Sequence, residues 1–290
     1  MKFIILTYFT EGFPHDGGNN HVAVEQRFRR SAEGHADKYI SFTPRQLMGM
    51  NPEYEKYCID YSSWLEKHPD REQLGHHNDT WARIGFFMWK PILIWNVLNS
   101  DEVKPGDIVL YHDVDCDKYP QYILNCEEWR DLSSNILDDL KCDIFIPYGL
   151  PLLLKHDVKA YLVRKYLSER YFEKAGLWAG LIVMRKSEML LQFLSEWVEM
   201  SAQLDNISPL PNPNPHPRFI WHSVDQSVAG VLAWIWRSDG RLPMSWPRYA
   251  VMGRHFSKLT VKRVNHPAVA RIWMLILGRV RRLTNRTKDE

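Results

Sequence analysis

Three aspartates, Asp113, Asp115 and Asp117, stand directly behind the apolar run Ile108-Val109-Leu110-Tyr111. Closely spaced carboxylates supply hard oxygen ligands, and an Asp-x-Asp pair at the end of a strand is suited to hold Mn²⁺ or Mg²⁺. An ion held there could bridge the phosphates of a nucleotide. The apolar run follows the turn signal Lys104-Pro105-Gly106-Asp107, and a short continuous apolar segment after a turn predicts a strand buried inside a sheet. In open α/β sheets the ligand crevice lies outside the carboxyl ends of the strands, which is where these aspartates fall. A solvated turn is the plain alternative, because Asp is a favoured turn residue. An EF-hand loop does not fit: it needs glycine where Lys118 stands and glutamate where Leu124 stands. A phosphatase of the haloacid-dehalogenase type also places Asp-x-Asp after an apolar strand, but its pattern continues with Thr or Val where this chain has Asp117.

Upstream, Pro91 suits the first turn of a helix whose apolar body is Ile92 to Leu98. Lys90 then sits at a helix N-terminus, where the free backbone donors and the macrodipole favour an anion and disfavour a lysine. The residue is misplaced for helix stability unless an anion meets it, and an exposed lysine is the alternative. Phe87 and Trp89 read either as core or, for Trp89, as a substrate contact.

The blocks Arg83-x-Gly85-Phe86-Phe87-Met88-Trp89-Lys90-Pro91 and Gly106-Asp107-Ile108-Val109-Leu110-Tyr111-x-Asp113 resemble the central part of a family of small glycosyltransferases of the GT-A, nucleotide-diphospho-sugar type, found in bacterial surface-polysaccharide gene sets. Two later blocks are similar as well: Ala179 to Ser187, and Asp225-Gln226-Ser227 at a helix start. The family block often has Asp-Ala-Gly where this chain has Asp113-Val114-Asp115, a departure toward the usual GT-A Asp-x-Asp. The resemblance implies a GT-A-like, Rossmann-like α/β fold, with a mostly parallel sheet flanked by helices. It also implies a nucleoside-diphosphate sugar as donor, a glycan or glycolipid as acceptor, and Mn²⁺ or Mg²⁺ as cofactor on Asp113 and Asp115. A late histidine completes the metal shell in many GT-A enzymes; His266 is taken for that place ahead of His255, and an ordinary histidine is the alternative for both. Base and ribose contacts follow the first strand, which nominates Thr7 and Tyr8. Arg83, Trp89 and Lys90 are assigned with Asp113 to the donor side. Asp225 and Gln226 resemble the Asp-Gln pair of retaining GT-A galactosyltransferases, which faces the donor sugar, so they are taken as the catalytic pair and retention as the expected course. Capping of the helix by Ser223 or Asp225 competes with that assignment.

The 290 residues fit one elaborated α/β domain. We assign 1–267 to the transferase domain and 268–290 to a basic amphipathic helix and tail. With 37 Lys+Arg against 35 Asp+Glu, the formal charge of +2 gives no reason to expect nucleic acid as a partner. Four cysteines without a Cys-x-x-Cys pair read as reduced thiols, and no apolar run has membrane-spanning length, so a cytoplasmic location is expected. Arginines interleaved with apolar residues over 268–282 suit the cytosolic face of a membrane, and docking onto the core equally well.

Along the chain we read strands at 1–8, 38–42, 108–111, 143–147 and 178–184, and helices at 21–34, 92–98, 127–140, 155–169, 187–202 and 228–236. Thr43-Pro44 reads as a turn, 51–80 as an insertion of weak periodicity, and the proline-rich 206–217 as extended chain. Two other functions remain open: a phosphohydrolase with Asp113 as nucleophile and Asp115 as acid/base, and a non-catalytic nucleotide-sugar or glycan-binding protein.

Overall fold

A computed structural model describes residues 1–12, 21–69, 82–114, 126–210, 214–243, 249–252 and 260–263. Asp115, Asp117, His255, His266 and the whole of 268–290 lie outside the described residues, and the calls made on them are taken no further as structure. The strands are β1 (Phe3–Tyr8), β2 (Lys38–Phe42), β3 (Ile108–His112), β4 (Ile144–Phe145), β5 (Tyr148–Leu153), β6 (Ala175–Leu177), β7 (Leu181–Arg185), β8 (Tyr249–Met252) and β9 (Thr260–Arg263). The helices are α1 (Val22–Ala32), α2 (Pro44–Met50), α3 (Pro52–Lys67), α4 (Trp89–Asn99), α5 (Cys126–Leu140), α6 (Leu154–Asp157), α7 (Ala160–Tyr166), α8 (Glu188–Ser201), α9 (Leu204–Ile207) and α10 (Val224–Ser238).

The main sheet has five strands in the order β2-β1-β3-β7-β4. β1 runs parallel to both β2 and β3, whereas β7 is antiparallel to both β3 and β4. Four strands therefore point one way and β7 points the other, giving the mixed, mostly parallel α/β sheet flanked by helices that the sequence predicts. Every residue of β1 and β3 is buried, which is why both read as continuous apolar runs rather than alternating ones. Two carboxylates fasten the entry side of the sheet. Asp107 accepts from the backbone N–H of Lys2 at 2.7 Å and of Lys104 at 3.0 Å, and Asp37 accepts from that of Phe3 at 2.7 Å. The helix α5 lies against β3, β4 and β7, while α4 packs on α8. A second, four-stranded sheet, β6-β5-β8-β9, was not foreseen.

Several expectations are corrected. Thr43-Pro44 does not make a turn but opens α2: the Thr43 hydroxyl accepts from the Gln46 N–H, the Gln46 side chain accepts from the Thr43 N–H, and Pro44 takes the first position. This is a capping box, and Thr-x-x-Gln with a proline inside it was its signal. Residues 52–67 are not irregular insertion but α3, capped by Asn51 and burying Tyr54, Cys58, Tyr61 and Leu65. Those four recur at helical spacing, so the stripe was present although three of its members carry polar atoms. The expected helix over 155–169 is divided into α6 and α7, and the strand expected over 178–184 begins only at Leu181, as β7, after a turn at 178–180. Part of the proline-rich stretch forms the short α9 rather than extended chain.

Thr7, nominated as a substrate contact, lies fully buried in β1, and its hydroxyl donates to the His112 carbonyl at 2.7 Å. Its hydroxyl ties β1 to the end of β3. Thr7→Val keeps the shape and deletes the donor, leaving that carbonyl buried without it; a loss of about 1–3 kcal/mol in urea-unfolding free energy is expected.

Candidate functional site

The candidate site gathers at the carboxyl end of β3, and its centre is Lys90. Before α4 begins, Gly85, Phe86 and Phe87 all adopt left-handed backbone, with φ of 64°, 49° and 67°. Each non-glycine residue there costs about 1–2 kcal/mol. Burial of the Phe86 ring between Tyr61 and Trp64, with centroids at 5.7 and 6.3 Å, offsets part of that cost. The turn delivers Trp89 and Lys90 as the first two residues of α4, so Pro91 stands third rather than first.

Lys90 is buried, and its ammonium has several partners. It lies 3.1 and 3.2 Å from the two carboxylate oxygens of Asp113 and 3.5 Å from Oδ2 of Asp225, and it donates to the Ala179 carbonyl at 3.2 Å. It also stands 5.3 Å from the Trp89 ring centroid and 5.4 Å from that of Tyr111, within cation–π range. The anion that a lysine at a helix N-terminus requires is thus supplied by the chain's own carboxylates. Tyr111 adds a hydroxyl that donates to Asp113 Oδ1. The spacing of Tyr111 and Asp113 was a readable signal for this contact, because i and i+2 share a face of extended chain. The His112 imidazole donates from Nδ1 to the Asp113 carbonyl at 2.6 Å. Its pKa is lowered by burial, so the ring is neutral.

Asp225 enters from the first turn of α10, where the helix dipole favours a carboxylate. Val224, the residue before it, is buried with φ of 37°, a strained conformation for a β-branched side chain. The Asp225 carbonyl accepts from the buried Trp197 indole at 3.1 Å. Ser223 makes no side-chain cap, so the Ser223 half of that alternative is not realised. Burial raises the Asp225 pKa to about 6; Lys90 opposes the rise and Asp113 adds to it.

Gln226 and Lys90 grip the same peptide from two sides. Gln226 Oε1 accepts from the Ala179 N–H at 3.1 Å, while Lys90 takes the Ala179 carbonyl. The Asp113 N–H donates to the Gly180 carbonyl at 2.9 Å. The structure therefore brings together Lys90, Asp113, Asp225 and Gln226 around the 178–180 turn. Trp89 joins them and stacks on Tyr8, with centroids 3.8 Å apart and planes 8° from parallel. Arg83 is solvent-exposed. Tyr111 and the 178–180 turn are the parts of the site to which sequence reasoning gave no role.

Among the described residues no group of three or more His, Cys, Asp or Glu is placed to hold a metal ion. Of the expected ligands only Asp113 is described; its side chain is 23% exposed, and its oxygens are already bonded to Lys90 and Tyr111. No described helix is long and apolar enough to cross a membrane.

These features define an α/β protein with a lysine-bridged pair of carboxylates at the carboxyl end of a central strand. No family model matches the chain. Among solved structures it is similar to mouse xyloside xylosyltransferase 1 in its apo form, with a TM-score of 0.41 and 12% sequence identity, over 83% of this chain and 84% of that one.

Two outcomes test the electrostatics. Because the folded Asp225 pKa, about 6, lies above the ordinary 3.8, its contribution to stability is complete below pH 3.8 and is lost as pH rises through 6. The stability advantage of the native chain over Asp225→Asn, from urea unfolding at a series of pH values, should fall on the order of 3 kcal/mol across that window. A pH-independent difference contradicts the raised value. In Lys90→Met the same carboxyl loses its counter-charge, so its ¹³C titration midpoint should move above that of the native chain.

Proposed function

We propose that this chain is a glycosyltransferase that moves a hexose from a nucleoside-diphosphate sugar to an acceptor hydroxyl on a glycan or glycolipid. The observation that carries the reading is the meeting of Asp113, Lys90 and Asp225 outside the carboxyl end of β3, the place where open α/β sheets take ligands. The GT-A-like sequence blocks converge there: Trp89-Lys90, Tyr111-x-Asp113, Ala179-Gly180 and Asp225-Gln226 all contribute to one cluster. Asp113 and Asp115 would hold Mn²⁺ or Mg²⁺, with His266 or His255 as a further ligand. When bound, the ion supplies neutralisation of the departing diphosphate.

The chain's own residues prepare that chemistry. Tyr111 and Lys90 fix the orientation of the Asp113 carboxylate before any ligand arrives. Such preorganisation stabilises developing charge without rearrangement at the moment of reaction. Lys90 and Arg83 add positive charge on the donor side, and the Tyr8–Trp89 stack borders it. Asp225 and Gln226 position the donor sugar or the acceptor, and retention is the course this pair suggests. In this reading residues 1–267 are the transferase domain, 268–282 make a peripheral contact with a membrane, and the protein works in the cytoplasm.

The test is thermal stability of the purified chain with a panel of nucleoside diphosphates and their sugars, with and without Mn²⁺, for the native protein and Asp115→Ala. A ligand at a hundred times its Kd should add about 2.7 kcal/mol of stability, seen as a rise in Tm. Stabilisation by one nucleotide only with metal, abolished by the substitution, supports the transferase. Phosphate release from simple esters without any nucleotide requirement favours the phosphohydrolase instead, and sugar-nucleotide binding without turnover favours the binding protein.

A further inference from the structure

We propose that His222 and Ser227 are positioning residues, which hold the entrance of α10 so that Asp225 is aimed at Lys90. The proposal deepens the transferase reading, from which it takes Asp225 as a residue of the site, but its test uses no nucleotide, so the two can fail separately.

The chain approaches α10 along residues 220–223 and is tied there to residues 156–159, at the end of α6 and just before α7. The N–H groups of Ile220 and Trp221 both donate to the His156 carbonyl, at 2.8 and 3.2 Å, and that of Ser223 donates to the Asp157 carbonyl at 3.1 Å. Ser227 closes the arrangement from inside the helix. Its hydroxyl donates to the same Asp157 carbonyl and accepts from the Ser223 N–H at 2.8 Å. His222 is buried and bridges two further backbones: Nδ1 accepts from the Lys159 N–H at 3.3 Å, and Nε2 donates to the Asn206 carbonyl of α9 at 2.7 Å. The two partners dictate the tautomer, because Nδ1 faces a donor and must be bare while Nε2 carries the proton. A protonated ring would set N–H against N–H. Burial, with Lys159 adding to it, lowers the His222 pKa well below its ordinary value against the opposing pull of the Asn206 carbonyl, so the ring stays neutral.

These ties hold strain. Val224 alone separates the anchored Ser223 from Asp225, and its φ is 37°. A β-branched residue keeps that conformation only where its surroundings over-determine it. On the far side the Trp197 indole fixes the Asp225 carbonyl at 3.1 Å. On the near side the fixing falls to His222 and Ser227. Released there, Val224 relaxes to negative φ and turns the Asp225 carboxyl away from the lysine ammonium, which stands 3.5 Å from it.

The experiment compares the full chain with four variants. His222→Phe keeps a ring and deletes both nitrogens. His222→Gln carries an acceptor and a donor on one carbon, as Nδ1 and Nε2 flank Cε1. Ser227→Ala deletes the hydroxyl, and Ile136→Ala, a buried residue of α5, is the control for lost stability alone. The Trp197 indole N–H resonance, assigned through Trp197→Phe, reports the Asp225 carbonyl. The Lys90–Asp225 coupling, from urea unfolding of a Lys90→Met, Asp225→Asn double-mutant cycle in each background, reports the aim of the carboxyl. In His222→Phe the resonance should move upfield and the coupling should vanish; in His222→Gln and Ile136→Ala both should keep their native values. Ser227→Ala should move both in the direction of His222→Phe, by less. Native resonance and native coupling in His222→Phe, or in Ser227→Ala where His222→Phe does not fold, overturn the proposal and leave His222 as packing. A shift in the control as large as that in His222→Phe overturns it as well. If the variants behave as expected but no nucleotide stabilises the chain, the transferase reading falls and the positioning role stands.

Discussion

An ammonium group taken out of water costs several kcal/mol unless charges and dipoles replace the water it loses, and Lys90 is such a group. Two carboxylates, one carbonyl and two aromatic faces replace it here. They come from four parts of the chain: the end of β3, which supplies Asp113 and Tyr111, the start of α10, the 178–180 turn, and Trp89 next to the lysine itself. None of these parts could shift independently without stripping a partner from the lysine. The position of the lysine, against the positive end of its own helix, adds to the demand for negative charge and explains why two acids converge on one base.

The same logic accounts for the strained backbone. Left-handed residues precede both Lys90 and Asp225, and Phe86 and Val224 among them are buried. Packing of Phe86 among the aromatics of α3 and burial of Val224 hold conformations that neither residue would choose alone. Strain of this kind persists only where the surroundings over-determine it, and it concentrates where a side chain must be aimed. At both places the aimed side chain is a member of the lysine cluster.

Much of the sheet was legible because its inner strands are buried on both faces, and continuous apolar runs such as Phe3 to Leu6 and Ile108 to Tyr111 carry that burial in their composition. The direction of β7 was not legible: Leu181 to Met184 looks the same whether it runs with or against its neighbours. The second sheet was hidden for another reason, since β6 and β8 are short and gain their pairing from partners far along the chain. In the site, the spacing of Tyr111 and Asp113 and the anomalous place of Lys90 were visible, but sequence alone called for an anion without saying which. Only the fold reveals that Asp113 and Asp225 already stand there. The close approach of Trp178 to Gly180, where a Cβ would lie 2.6 Å from the indole, was beyond reach, because a glycine in a turn gives no hint of what stands beside it.

The contacts of Lys90 also bear on how the chain acquires its site. Lys90 and Asp113 are 23 residues apart, Lys90 and Ala179 are 89 apart, and Asp225 arrives later still. Closing loops of that length costs entropy before the contacts return it, so interactions of this kind form late in folding. A chain emerging from the ribosome could order β1, β2 and α3 early, but its lysine would have Asp113 without Asp225 to meet until the start of α10 had been made. The acidic and basic groups become a site in one step, near the end of assembly, and a partly synthesised chain would carry the residues of the centre without its chemistry.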